Sequence, residues 1–209
     1  LVFTEPNCRP SSNQWLRKMA QNFTSGTDIV LGYSNYEKTK GWFNRKITFD
    51  TMLNSMRQLG RAIGGHPYTG CGRNLAYRKS LYYTRVETSL ESTMRITAPH
   101  FKKSWREDKL SYHMTSRYYK GFGRYLMGFE TCTRLFFLLS VIACLGYGII
   151  TQDWIMVGIA CLLWILRYIM QTVVFRKTSI SLGEQKFYSS LLLFDWMQPL
   201  WNFHLKLHQ

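Results

Sequence analysis

Two uncharged apolar runs, separated by three residues, constrain this chain more than any other feature. Residues 135–150 read LFFLLSVIACLGYGII and residues 154–166 read WIMVGIACLLWIL, continuing past Arg167 as YIMQTVVF. With their flanks, each approaches the ~20 residues that cross a bilayer core as a helix. The linker, Thr151-Gln152-Asp153, leaves room only for a tight hairpin. Arg134 precedes the first run and Arg176 and Lys177 follow the second, whereas the linker carries a single acid, Asp153. The positive-inside rule then predicts both outer flanks in the cytoplasm and the linker outside. A helical hairpin buried in a soluble protein is the competing reading. Trp154 and the basic flanks favour the membrane, because indole rings and bases suit its interface.

The charge balance points the same way. Lys and Arg number 27 against 12 Asp and Glu, a net +15 over 209 residues. Such an excess suits nucleic acid or an anionic membrane face. The bases lie largely on the side of the hairpin that faces anionic lipid, and no nucleic-acid reader motif occurs, so the expected partner is membrane and not nucleic acid. The five cysteines show no metal-site spacing, and reduced thiols are expected for a chain whose bulk is cytoplasmic. No signal peptide, internal repeat or low-complexity tract is visible. The chain begins without Met, at Leu1-Val2-Phe3, which reads as the end of a buried strand; an N-terminal part is therefore expected to be missing.

Local patterns predict a mixed order of elements ahead of the hairpin. After the turn TEPNCRP, residues 11–23 read as a helix, with Ser11, Ser12 and Asn13 as candidate caps and Trp15, Leu16, Met19 and Phe23 on one stripe. TDIVLGYS reads as one covered strand, and YEKTKGWFNR as a basic loop. Met52, Leu53, Met56, Leu59 and Ile63 then recur at helical spacing, with Asp50 as the expected cap and Gly64-Gly65 as the stop. LAYRKSL and ESTMRIT read as strands. Residues 101–121 form a basic amphipathic helix with Trp105, Asp108, Lys109 and Tyr112 on one face. Beyond the hairpin, residues 180–209 are aromatic and apolar but interrupted by Asp195 and Pro199; an interfacial helix broken at Pro199 is expected. Strand–helix–strand–helix–strand followed by helices predicts the second half of an α/β sheet (residues 1–120), a membrane hairpin (134–175) and a cytoplasmic interfacial segment (180–209).

Taken together, LVFTEPNCRP, TDIVLGYS, YTGCGRNLAYRKSL and STMRITAPHFKKSWREDK followed by two apolar runs resemble the later half of a bacterial, membrane-anchored family 2 glycosyltransferase. The resemblance covers nearly the whole chain. It implies part of a GT-A-type (nucleotide-diphospho-sugar transferase) sheet followed by the hairpin, in the bacterial inner membrane, with the catalytic part cytoplasmic. It implies an inverting transfer of a sugar from a nucleotide-sugar donor to a hydroxyl of a lipid-linked or polysaccharide acceptor. In that family an Asp-x-Asp turn at a strand end holds Mg²⁺ or Mn²⁺, a hard cation that takes oxygen ligands and offsets charge on the departing diphosphate. Glu5 and Asn7 stand at the matching positions here: oxygen ligands remain, but one charge is lost. An ordinary proline turn with an exposed Glu5 is the bland alternative.

Gly70, Gly72, Arg73 and Asn74 match the stretch that lines the family's sugar and acceptor cleft. Bare backbone and a guanidinium fork suit that role, although a plain turn would use the same glycines. Trp105 matches the aromatic that leads the family's acceptor helix. The Gln-x-x-Arg-Trp motif found there is replaced by Asp108, Ser111 and Tyr112, and an interface helix facing lipid phosphates is the alternative for Lys102, Lys103, Arg106 and Lys109. The family's acidic loop, whose last acid is the general base, has no counterpart. Only Glu87 and Glu91 lie between LAYRKSL and the next strand, so the base stays unnamed. His66, His100 and His113 read as loop or surface residues. A catalytically silent scaffold or subunit of a surface-polysaccharide complex is the second expectation.

Overall fold

The computed structural model describes residues 1–78, 84–99, 102–114, 123–185 and 187–207. The chain forms two compact units, Leu1–His113 with Thr178–Lys186, and Met114–Lys177 with Phe187–Gln209.

The first unit is mixed α/β with two small sheets. One sheet runs β1 (Val2–Phe3), β5 (Leu75–Tyr77), β3 (Ile29–Gly32), β6 (Thr84–Glu87); the other runs β2 (Cys8–Pro10), β7 (Met94–Ile96), β4 (Ser34–Tyr36). β3 pairs antiparallel with β5 and parallel with β6. The run expected as one strand over TDIVLGYS therefore divides at Tyr33 between two sheets. Asn74 holds the division: its Nδ2 donates to the carbonyls of Tyr33 and Ser92, both at 2.8 Å. A Cβ on Gly32 would overlap that amide, so the close approach requires glycine there.

Helix α1 (Trp15–Gln21) packs Met19 against Val30 and Ala76. Its start uses Ser12, whose Oγ accepts from the Gln14 amide at 3.0 Å. Helix α2 (Trp42–Ile63) begins well before the expected cap, so part of the predicted basic loop is helical. Asp50 lies inside the helix and is 3% exposed; it faces a lysine rather than orphan amides. Gly64 and Gly65 end α2 as expected, Gly65 at φ +80°. Helix α3 (Lys102–Met114) supplies Trp105 to a second core with Tyr36, Ile47 and Ile96. Residues 81–83, His100 and 115–120, part of the expected short loop and of the basic helix, lie outside the described residues, as do the side chains of Ser111, Tyr112 and His113.

The stretch Thr178–Lys186 packs within this first unit. Arg95 Nη1 and the Tyr33 hydroxyl both donate to Glu184 Oε1, at 2.5 and 3.0 Å, and Lys38 donates to the Gly183 carbonyl.

The second unit is helical: α4 (Gly123–Ile150), α5 (Trp154–Ser181, its last turn belonging to the first unit) and α6 (Tyr188–Leu207). Within α4 and α5, Phe129–Ile150 and Trp154–Ser181 are long and apolar enough to cross a membrane. Their apolar side chains are mostly exposed, Ile150 at 83% and Ile155 at 77%, whereas a core helix of a soluble protein would cover them.

Local chemistry fixes the tight turn between them. The Gln152 amide donates to the Ile149 carbonyl and the Asp153 amide to that of Gly148, a Schellman end to α4 with Gln152 left-handed at φ +58°. Asp153 Oδ1 accepts from the Met156 amide at 3.2 Å and caps α5. A Cβ on Gly148 would sit 2.8 Å from Val157, so the helices approach there only because it is glycine.

Helix α6 corrects the expected break: it runs through Pro199 without interruption. Asp195, read as a charge unfit for apolar surroundings, is 6% exposed and paired twice, with Arg134 of α4 and Arg167 of α5, both at 2.9 Å. Buried ions persist when paired.

Candidate functional site

Arg73 brings together residues that the sequence holds far apart. It follows the turn 70–72 ahead of β5 and is 6% exposed. Its Nε donates to Glu5 Oε2 at 2.8 Å, and its Nη2 stands 3.7 Å from Asp108 Oδ2 on α3. The guanidinium carbon lies 5.8 Å from the centre of the Tyr36 ring. Glu5 opens a tight turn across Pro6 and Asn7, closed by the Cys8 amide donating to the Glu5 carbonyl at 3.0 Å. Proline in second place presets that turn. β2 then pairs with β7, and the Thr97 amide donates to the Asn7 carbonyl at 3.0 Å, which anchors the far side.

Next to this group lies a second ion pair that the sequence did not reveal. Lys109 Nζ is 2.8 Å from both oxygens of Asp50. Its exposure is 9% and that of Asp50 4%, counting side chains. Lys46 and Lys109 each place Nζ 5.1 Å from the Trp105 ring centre. Cation–π attraction of this kind is worth more when it is desolvated. Burial pushes the Tyr36 hydroxyl up to about 12; Arg73 pulls it down, Asp108 and Asp50 push it further up. Tyr36 therefore keeps its proton at neutral pH and remains a donor. Burial likewise raises the Cys8 thiol, against a lowering contribution from Arg73.

The expected site residues thus fall into three groups. Glu5, Arg73 and Asp108 converge. Asn74 and Trp105 are built into the frame: Asn74 is 1% exposed, with Oδ1 accepting from Trp15 Nε1 at 3.0 Å, and Trp105 is 7% exposed in the second core. Gly70 backs onto the Leu31 side chain, Gly72 faces open space, and Asn7 is exposed with Oδ1 3.6 Å from the Cys8 sulfur. Glu87 and Glu91, the two acids where a base loop was expected, both serve local structure. Glu87 accepts from the Ser89 amide at 2.7 Å and from Asn22; Glu91 pairs with Lys18 at 2.9 Å. Burial alone would raise the Glu87 carboxyl, but the bonds from Ser89, Asn22 and Ser92 outweigh it and leave it lowered.

A forked, nearly buried cation stands between two carboxylates, bonded to Glu5 and farther from Asp108, with a protonated phenol beside it. Among the described residues no three His, Cys, Asp or Glu side chains converge as metal ligands. Glu5 and Asn7 offer one carboxylate and one amide oxygen, a set that fits Mg²⁺ or Mn²⁺ only where substrate phosphates complete the shell. No family model, curated protein or solved structure matches this chain.

Proposed function

We propose that this is a membrane-bound glycosyltransferase, inverting, which moves a sugar from a nucleotide-diphosphate donor to a hydroxyl of a lipid-linked or polysaccharide acceptor. The observation that carries the reading is the convergence of Glu5 and Asp108 on Arg73. Arginine is the side chain best suited to bidentate phosphate recognition. The long contact to Asp108 is the exchangeable one: that carboxylate is 44% exposed, so a diphosphate oxygen can take its place on Nη2 while water solvates the acid. Tyr36 would then donate from the floor of the site. A divalent ion bound at Glu5 and Asn7 would add Lewis-acid stabilisation of the departing diphosphate. Arg73 competes with it for the Glu5 carboxylate.

A specific observation also favours the scaffold reading. The acids of the cluster all face cations, Glu5 and Asp108 on Arg73 and Asp50 on Lys109, so none of them stands ready as a general base.

Equilibrium binding of UDP-glucose, UDP-N-acetylglucosamine and GDP-mannose to the intact protein, with Mg²⁺ or with chelator, tests these readings. Arg73→Ala should weaken binding roughly tenfold to a hundredfold, as expected for loss of a charge-assisted bond. Glu5→Ala distinguishes the two modes. It abolishes metal-dependent binding if the ion sits on Glu5, and strengthens metal-independent binding if Arg73 alone grips the diphosphate. Asn7→Asp should tighten only the metal-dependent component. Absence of binding, or binding indifferent to Arg73, favours the scaffold.

A further inference from the structure

The helical unit has a shallow open cleft of its own between α5 and α6. Trp164, Tyr168 and Trp196 wall it, Leu192 closes one side, and Arg167 and Gln171 present polar groups beside Asp195. Arg167 is under-compensated. Its Nη2 donates to Asp195 Oδ2, its guanidinium carbon lies 4.6 Å from the Phe137 ring centre, and its buried Nη1 has no partner. The shared acid is itself divided: Arg134 Nη1 and Gln171 Nε2 donate to the other oxygen of Asp195, at 2.9 and 3.2 Å. Buried Gln198 Nε2 is the second unpartnered atom of the group, while its Oε1 accepts from Arg134 at 2.8 Å. Arg134 also pairs with Glu130 at 3.0 Å, so the two arginines face two carboxylates; both unsatisfied atoms are donors, and what the cluster lacks is a hydrogen-bond acceptor, next to Arg167 above all.

Depth narrows the choice of ligand. Arg167 lies ~20 Å along α5 from the turn and Arg134 ~24 Å along α4, at 1.5 Å per residue. In a bilayer core of ~30 Å both stand in the third farthest from the turn, where arginines reach toward headgroup phosphates and Trp and Tyr rings are favoured.

We infer that this recess binds the phosphate of a membrane lipid, with Arg167 Nη1 donating to a phosphate oxygen and the Trp164, Tyr168 and Trp196 rings packing against the lipid's glycerol and first methylenes. The site stands whether or not the first unit transfers sugar.

Native mass spectrometry of the full chain in detergent tests it, with dioleoyl phosphatidic acid, dioleoylglycerol and inorganic phosphate as probes. Phosphatidic acid should bind roughly tenfold or more tightly than dioleoylglycerol, which has the same chains and no phosphate, and millimolar inorganic phosphate should not displace it. Arg167→Lys keeps a cation opposite Asp195 but removes the fork, and should lose about tenfold in phosphatidic acid binding. The pair Trp164→Ala and Trp196→Ala leaves the ion pairs intact and should weaken the same adduct, with circular dichroism reporting unchanged helix content; it carries the test if Arg167→Lys fails to fold. Equal binding of the two lipids, or wild-type binding by these variants, overturns the inference. Displacement by inorganic phosphate overturns the lipid as the source.

Discussion

Each unit holds an ion cluster of three charged residues in a row, and these two clusters are built with opposite polarity. In the α/β unit a cation, Arg73, stands between two acids, Glu5 and Asp108. In the helical unit an acid, Asp195, stands between two cations, Arg134 and Arg167. Their surroundings differ as much as their sign. The Glu5 and Asp108 side chains keep 33% and 44% exposure, so water can solvate either if Arg73 turns to a ligand. Asp195 keeps 9% and Arg134 12%. A charge left there has little access to water, and Arg134 alone keeps a second acid, Glu130 at 3.0 Å. The first cluster is therefore exchangeable; the second is obligatory, because it joins α6 to the two apolar helices.

Removing one central acid and one peripheral acid is the hardest test of that contrast. Asp195→Ala takes the carboxylate from Arg167 and leaves Arg134 with Glu130, and should cost about 3 kcal/mol, the lower end of the range for breaking a buried pair. Glu5→Ala removes a partly exposed partner and should cost about 1 kcal/mol or less. Thermal unfolding of the intact protein in detergent, with limited proteolysis of α6 as a local readout, measures both. Similar losses from the two variants would break the distinction between obligatory and exchangeable clusters. Replacing Arg134, Asp195 and Arg167 together by leucine should recover much of the loss, since Glu130, which then loses Arg134, is 41% exposed to solvent.

Alkaline pH perturbs the first cluster through Tyr36. Its hydroxyl lies at about 12, raised by burial from 10.0, so the folded state holds this proton more tightly than the unfolded chain. The associated stability is complete below pH 10 and is lost as pH rises through 12. Two units correspond to about 2–3 kcal/mol. Tyr33 is raised well above its ordinary value by burial and by Glu184, and acts in the same direction. Tyr36→Phe should flatten part of the alkaline limb in a stability–pH profile and leave the remainder due to Tyr33. A profile unchanged by Tyr36→Phe would mean that the phenol is solvated and the floor of the site is open.

What could be read from the sequence follows from the range of each interaction. The apolar runs, the stripe of α2 and its Gly64-Gly65 stop are local patterns, and local patterns print themselves on the chain. Glu5, Arg73 and Asp108 were visible as separate candidates, but nothing in the sequence said that they meet. Asp50 and Lys109, 59 residues apart, left no periodic trace of their pairing, and Asp50 was therefore read as a cap. Asp195 was read as a liability because its two arginines lie on other helices. The division at Tyr33 was hidden for the same reason: the apolar run is continuous, and the clasp that divides it comes from Asn74, well along the chain.

The smallest expected effect calibrates the helical unit without touching either cluster. Gln152 holds φ +58° at the end of α4, where a side chain costs roughly 1 kcal/mol relative to an unstrained backbone. Glycine relieves that strain but gives back part of the gain through the greater freedom of the unfolded chain. Gln152→Gly should therefore stabilise by only about 0.5 kcal/mol. Gly148→Ala acts on the same turn with the opposite sign, because its Cβ would meet Val157 at 2.8 Å, as well as the Asp153 carbonyl at 3.2 Å. Neither change reaches Asp195, so each should add independently to the loss in Asp195→Ala. Measured in one detergent, Tm should rise slightly for Gln152→Gly and fall for Gly148→Ala. A fall with Gln152→Gly would mean that the turn is not left-handed at Gln152, and an unchanged Tm with Gly148→Ala that α4 and α5 do not approach closely there.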